Sequence, residues 1–199
     1  VPHVIVVGPS VLATNLKDFL AYAKRTGKIN YATAGTGTPQ HLGGAMLANL
    51  AGLQMVDIPY KGTGPALNDV VSGQVEVMSV DLPPALPFIT SGKVRALGVA
   101  AKARSPYAPD IPTIAEAGLA NFEVTGWYGI VAPSGLPKNV SEKLSRVIAQ
   151  ALTQPEMKEK LAQLGATAES ATGKDFGEFM QRESAKWAAV IKTANIKLE

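Results

Sequence analysis

Two rhythms of apolar and polar positions alternate through the first half of the chain. Short, nearly unbroken apolar runs over 3–8 (HVIVVG), 29–33, 55–60, 75–80 and 94–100 have the length of buried strands. Between them, apolar residues recur at helical spacing. Leu16, Phe19, Leu20 and Ala23 predict a helix over 15–25, with Thr14 or Asn15 as its cap and Gly27 as its stop. Leu42, Ala45, Met46 and Leu50 predict another over 40–50, ended by Gly52. Two more are opened by Pro65 and Pro84 and closed by Gly73 and Gly92. The sequences around these prolines resemble each other, and read as two uses of one start-and-stop grammar rather than an internal duplication. Strand alternating with helix predicts an α/β domain with a largely parallel sheet.

The rhythm then breaks. Prolines punctuate an irregular connection over 103–112, followed by a short helix over 113–117 stopped by Gly118. The run FEVTGWYGIVA over 122–132 is strand-like, with Gly126 marking a bend or bulge. The remainder is helical. Val140, Leu144, Val147, Ile148 and Leu152 share one face of a helix opened by Pro137, and Pro155 opens another that ends at Gly165. Thr172 with Asp175 resembles a capping box for a last helix. That helix carries Phe176, Phe179, Met180, Trp187, Val190 and Ile191 on its apolar side, a spacing that reads as core rather than as a ligand box.

Composition narrows the function more than the fold. At 199 residues, 46% hydrophobic and 18% charged, the chain is globular and long enough for a real core. Its 19 basic and 16 acidic residues are interspersed, and a net charge of +3 is too weak to argue for nucleic acid. The absence of cysteine excludes disulfides, thiol catalysis and Cys-ligated metal, and His3 and His41 alone cannot build a histidine-rich metal site. No segment has the apolar length of a membrane span. The chain opens on Val-Pro-His without an initiator Met or signal peptide, so a mature or truncated product is expected.

The candidate chemistry lies in YATAGTGTPQHL, residues 31–42. It reads as a strand end, a glycine turn and the first turn of a helix, with Thr38 as N-cap and Pro39 at the first helical position. Gly35 and Gly37 permit a sharp turn and close backbone approach to a ligand. Free N–H groups at the positive end of a helix suit an anion, held here by dipoles and hydroxyls because the stretch contains no Lys or Arg. A strand-to-helix turn with a good cap explains the same pattern. Tyr60, Lys61 and Asp81 also follow strands, and ligands in α/β sheets sit beyond the carboxyl ends of strands. Enzyme signatures are missing. Gln40 stands where a dinucleotide fingerprint has its third glycine, and there is no Walker lysine, nucleophile elbow or paired carboxylate arrangement. No catalytic residue, cofactor or metal is expected. An α/β cofactor- or phosphate-binding enzyme domain is the alternative to a binding protein.

Several ordered pieces spanning the chain carry a family resemblance: NYATAGTGTPQHL, IPYKGTGPALNDVVSGQVEVM, DLPPALPFITSGKVRALGVA, DIPTIAEAGL, TGWYGIVAPSGLPK and LGA. In these the sequence resembles the solute-binding receptors of tripartite tricarboxylate transporters, the Bug receptors. The resemblance implies a type II periplasmic binding protein fold, two α/β lobes closing on a carboxylate ligand, with membrane components of the transporter as partners. Family members carry a further N-terminal segment that forms most of one lobe. Residues 1–126 then correspond to the second lobe, with a mostly parallel sheet, and residues 127–199 to helices that return to the first. Without that lobe, the apolar faces of these helices need another cover, self-association or an altered packing. The implied site comprises Ala34, Gly35, Thr36, Gly37 and Thr38 around one carboxylate, with His41, Tyr60 and Asp81 nearby. His41 either donates to the ligand or fixes the first helical turn. Asp81 departs from the family pattern, in which this spot usually reads Asp followed by Asn, Ser or Thr. Here it points to a ligand offering an amine, hydroxyl or amide donor, or to a capping role.

Overall fold

A computed structural model describes residues 1–171 and 173–197. The described chain packs as two units, Pro2–Gly126 joined by residues 187–197, and Trp127–Lys186.

The first unit is built on five strands: β1 (His3–Val7), β2 (Lys28–Thr33), β3 (Gln54–Pro59), β4 (Val77–Asp81) and β5 (Arg95–Val99), in the order β3-β2-β4-β1-β5. Between them run α1 (Leu16–Thr26), α2 (Pro39–Ala51), α3 (Thr63–Val71) and α4 (Leu82–Thr90). Alternate residues of each strand feed opposite faces of the sheet. Ile5, Val7, Tyr31 and Val77 point to a core closed by Leu16 and Phe19 of α1, Met46 and Leu47 of α2, and Val190. Val4, Val6, Ala32, Met78 and Val80 point to the other, closed by Leu67 and Val70 of α3 and Ala85 of α4. Both faces are covered, so the strands read as continuous apolar runs.

The helices begin and end where local chemistry dictates. The Asn15 side chain caps α1 by accepting the Asp18 N–H at 2.9 Å, and Gly27 ends it at φ 86°. Of the two cap residues considered from sequence, Asn15 is the one used. Gly43 and Gly44 let α2 lie close on the sheet. A Cβ at Gly44 would stand 2.2 Å from the Tyr31 ring, and one at Gly43 would stand 2.4 Å from Ser79 Oγ.

The sheet is largely parallel: β2, β3, β4 and β5 share one direction, and β1 runs antiparallel to both β4 and β5. Each strand from β3 onward is reached through a helix that returns the chain in the same direction, whereas α1 leads from β1 to a β2 that runs the opposite way. The neighbours of β1 are distant in sequence, and no local connection fixes its direction. Residues 113–117 form a turn, not a helix, although Thr113 and Glu116 exchange capping hydrogen bonds at 2.8 and 3.0 Å. Over 122–132 there is no strand; Thr125 forms an isolated antiparallel bridge with Pro2, and beyond it no ladder continues.

The second unit holds α5 (Lys138–Thr153), α6 (Pro155–Gln163) and most of α7 (Lys174–Thr193). Trp127 packs edge-on against Phe176 and Phe179 at centroid distances of 5.9 and 5.3 Å. A Cβ at Gly129 would meet the Phe176 ring at 2.2 Å. Neither α5 nor α6 has a buried residue. The capping box suggested at Thr172 lies outside the described residues. Among the described residues, no helix is long and apolar enough to cross a membrane.

Candidate functional site

The carboxyl ends of β2, β3 and β4 and the amino end of β1 meet at one edge of the sheet. The glycine turn grows out of β2. Gly35 and Gly37 sit at φ 126° and 76°, backbone that disfavours any side chain. Thr38 caps α2, its oxygen accepting the His41 N–H at 3.4 Å while its hydroxyl donates to Gly35 O at 2.7 Å. Gly37 N–H donates to His41 Nδ1 at 3.1 Å. His41 therefore fixes the turn through Nδ1, which leaves Nε2 as its donor in the neutral ring. Among the described residues the N–H groups of Ala34 and Thr36 have no acceptor. The turn thus presents unpaired donors and the positive end of a helix dipole without a cationic side chain.

The other candidates are distributed around this turn. Tyr60 N–H donates to Thr33 O at 3.0 Å, which ties the end of β3 to the turn. Its phenol is committed elsewhere, donating to Asp69 Oδ2 at 2.6 Å. Desolvation, followed by this hydrogen bond and the Asp69 charge, pushes the phenol pKa up to about 12. Lys61 is exposed. Asp81 ends β4, one strand away from the turn. It occupies the N-cap position of α4, but its side chain makes no capping hydrogen bond. Its Oδ1 instead lies 3.4 Å from His3 Nε2, and its side chain is 33% exposed. Burial raises the carboxyl pKa, but the hydrogen bond and charge of His3 head the effects that bring it below the ordinary carboxylate value.

His3 is the residue sequence reasoning missed. It is 1% exposed, and its Nδ1 lies 3.0 Å from Ser79 Oγ, 76 positions away in the chain. Only the reversed direction of β1, which sets His3 opposite Asp81, makes this contact. A histidine opening an apolar run was the available signal, and it carried no hint of its partners.

A groove of about 560 Å³ flanks the site. It runs along α2 between Asp57 and Asn195 and reaches Thr36 and His41, but neither Asp81 nor Tyr60 lines it. Burial, reinforced by the Asp57 charge, raises the Tyr31 pKa at its floor above the ordinary phenol value.

The fold is shared by several solved structures. A Rhodopseudomonas palustris protein, Rpa4515 with adipate, matches with a TM-score of 0.86 at 30% identity, over 98% of this chain and 66% of that one. The periplasmic binding protein BugD matches with a TM-score of 0.81 at 35% identity, over 100% and 67%. MatC from the same R. palustris, with bound malate, matches with a TM-score of 0.80 at 32% identity, over 96% and 66%. The fold is therefore that of the periplasmic binding proteins. Residues 1–196 match the family described as the tripartite tricarboxylate transporter family receptor, and the chain belongs to that family. BugT of Bordetella pertussis is 33% identical over 200 aligned positions, covering all of this chain and 61% of BugT. A Pseudomonas relative encoded in the tcbD–tcbE intergenic region is 36% identical, and the chain spans 57% of its length.

Proposed function

We propose that the chain forms the second lobe and the returning helices of a periplasmic receptor that captures a small organic acid for a tripartite tricarboxylate transporter. The observation that carries this reading is the turn at 34–38, where unpaired N–H groups meet the N-terminus of α2 at the convergent strand ends. One ligand carboxylate sits on this turn, at the Ala34 and Thr36 N–H groups and the Thr36 hydroxyl, with His41 Nε2 as a further donor; the Thr38 hydroxyl, which donates to Gly35 O, holds the turn in shape. Adipate and malate in the solved relatives support a carboxylate as the ligand class. The chain spans about three fifths of the length of BugT. The opposing wall of the cleft is therefore assigned to a first lobe, contributed by a segment the relatives have in addition. Closure of the two lobes buries the ligand, and the closed form docks on the membrane components of the transporter. The ligand drives this shift only as far as it prefers the closed state. No turnover accompanies binding. The lobe-facing helices of the isolated chain self-associate.

A thermal-shift screen of organic acids and amino acids on the full-length receptor tests the assignment, with calorimetry on the hits. At least one carboxylate is expected to raise the melting temperature, and the isolated chain is expected to bind it far more weakly. Chemical turnover of the bound acid, or submicromolar affinity in the isolated chain, would overturn the reading.

A further inference from the structure

His3, Ser79 and Asp81 form a hydrogen-bonded line that leads from the buried sheet to its exposed strand-end edge. Both His3 and Ser79 are 1% exposed, whereas a third of the Asp81 side chain reaches solvent. An ionised carboxylate only accepts, so His3 Nε2 must carry the proton that faces Asp81 Oδ1. In the neutral ring Nδ1 is then an acceptor, and the Ser79 hydroxyl donates to it at 3.0 Å. If the ring is protonated, the hydroxyl turns and accepts instead. Ser79 therefore satisfies His3 in either state, and Nε2–H points at Asp81 in both.

The same three residue types make a hydrolase triad, but the order of access is reversed. Ser79 Oγ lies sealed beneath α2, where even a Cβ on Gly43 would come within 2.4 Å of it. A nucleophile must reach its substrate, and this serine cannot. The accessible member is the carboxylate. His3 engages Asp81 through Oδ1, and a third of the Asp81 side chain stays exposed at the strand-end edge of the sheet.

We propose that His3 and Ser79 are positioning residues that hold Asp81 as a fixed acceptor, so that the receptor selects organic acids carrying a hydroxyl or amine donor in addition to the carboxylate on the glycine turn. The selection works in both directions. A donor hydrogen-bonds to the charged Asp81, whereas a ligand that presents only methylene there leaves the carboxylate partly desolvated and unpaired. This inference rests on the carboxylate-receptor assignment above.

Matched pairs of acids test it on the full-length receptor: malate against succinate, lactate against propionate, and 6-aminohexanoate against hexanoate. The wild type is expected to bind the donor-bearing member of at least one pair about tenfold or more tighter, in line with a hydrogen bond to a charged group. His3→Leu should reduce that ratio to about threefold or less. His3→Gln, whose amide N–H can replace Nε2–H, should restore it. Ser79→Ala should reduce it partially with the fold retained, as followed by thermal melting, so the inference stays testable even if His3→Leu does not fold. If the wild type binds acids of the panel without discrimination, or if His3→Leu and Ser79→Ala both leave the ratio unchanged, the selection mechanism is wrong and the receptor assignment stands. If no carboxylate of the panel binds, the receptor assignment itself falls.

Discussion

The sheet unit and the helical unit treat their apolar residues in opposite ways. In the sheet unit, Ile5, Phe19, Ile29 and Met78 are sealed between layers, and two continuous cores cover both faces of the strands. In the helical unit, Leu144 and Val147 are about half exposed, Tyr128 is 88% exposed, and α5 buries none of its side chains. Yet the apolar stripe of α5 is as regular in sequence as that of α1. Periodicity states which face a helix needs to bury. It does not state what buries it. For α1 the cover is the neighbouring sheet, and for α5 we assign it to a first lobe.

The largest expected effect tests this contrast directly. Phe19→Ala should destabilise the sheet unit by about 3–5 kcal/mol, because a fully buried aromatic leaves a cavity. Leu144→Ala, on a 47% exposed side chain, should cost less than about 1 kcal/mol in the same chain by denaturant unfolding. In the full-length receptor the Leu144→Ala cost should rise to about 2 kcal/mol or more, as for a core leucine. An unchanged small cost there would remove the reason for assigning a lobe to that face.

Glycines sharpen the comparison at smaller scale. Gly43→Ala drives a methyl into Ser79 and should cost about 1–3 kcal/mol by overpacking. Gly177→Ala, in the interior of α7, meets nothing within 4 Å and should stabilise by about 0.5–1 kcal/mol. Equal effects at the two positions in thermal melts would mean that the packing contrast is not energetic.

The smallest effect concerns acid. The folded Asp81 carboxyl titrates below its unfolded value, so its contribution to stability is present above the unfolded pKa and is lost as pH falls through the folded one. The melting-temperature gap between wild type and Asp81→Asn should be widest near neutrality and close below the ordinary carboxylate pKa of about 4. A gap that stays constant down to strongly acidic pH would show that the His3 contact does not depend on the charge of Asp81.

What could be read from the residues followed the range of the forces involved. Asn15, Gly27, Thr38, Pro39 and Gly52 act on their own helix ends, and α1 and α2 form where these residues place them. The turn at 34–38 was legible for the same reason. The direction of β1 was not, because its partners Asp81 and Val99 are far away in sequence. The role of His3 was lost with it. The 122–132 run misled for a related reason. Its residues favour extended backbone, but a strand needs a partner edge, and after Thr125 none is offered. Tyr60 was correctly placed at a strand end, while the commitment of its phenol to Asp69 depends on how α3 packs beside it.

The bridge between Pro2 and Thr125 has a mechanical consequence. His3 N–H donates to Val124 O at 3.0 Å, and Val124 N–H donates to Ala100 O at 2.9 Å, so the chain enters the sheet unit and first leaves it side by side. A pull applied between these two exits loads a short zipper of hydrogen bonds and not the sheet behind it. The next residue inward is the one that restrains Asp81. Tension at this double thread would therefore be felt at the cleft before any strand of the core gives way.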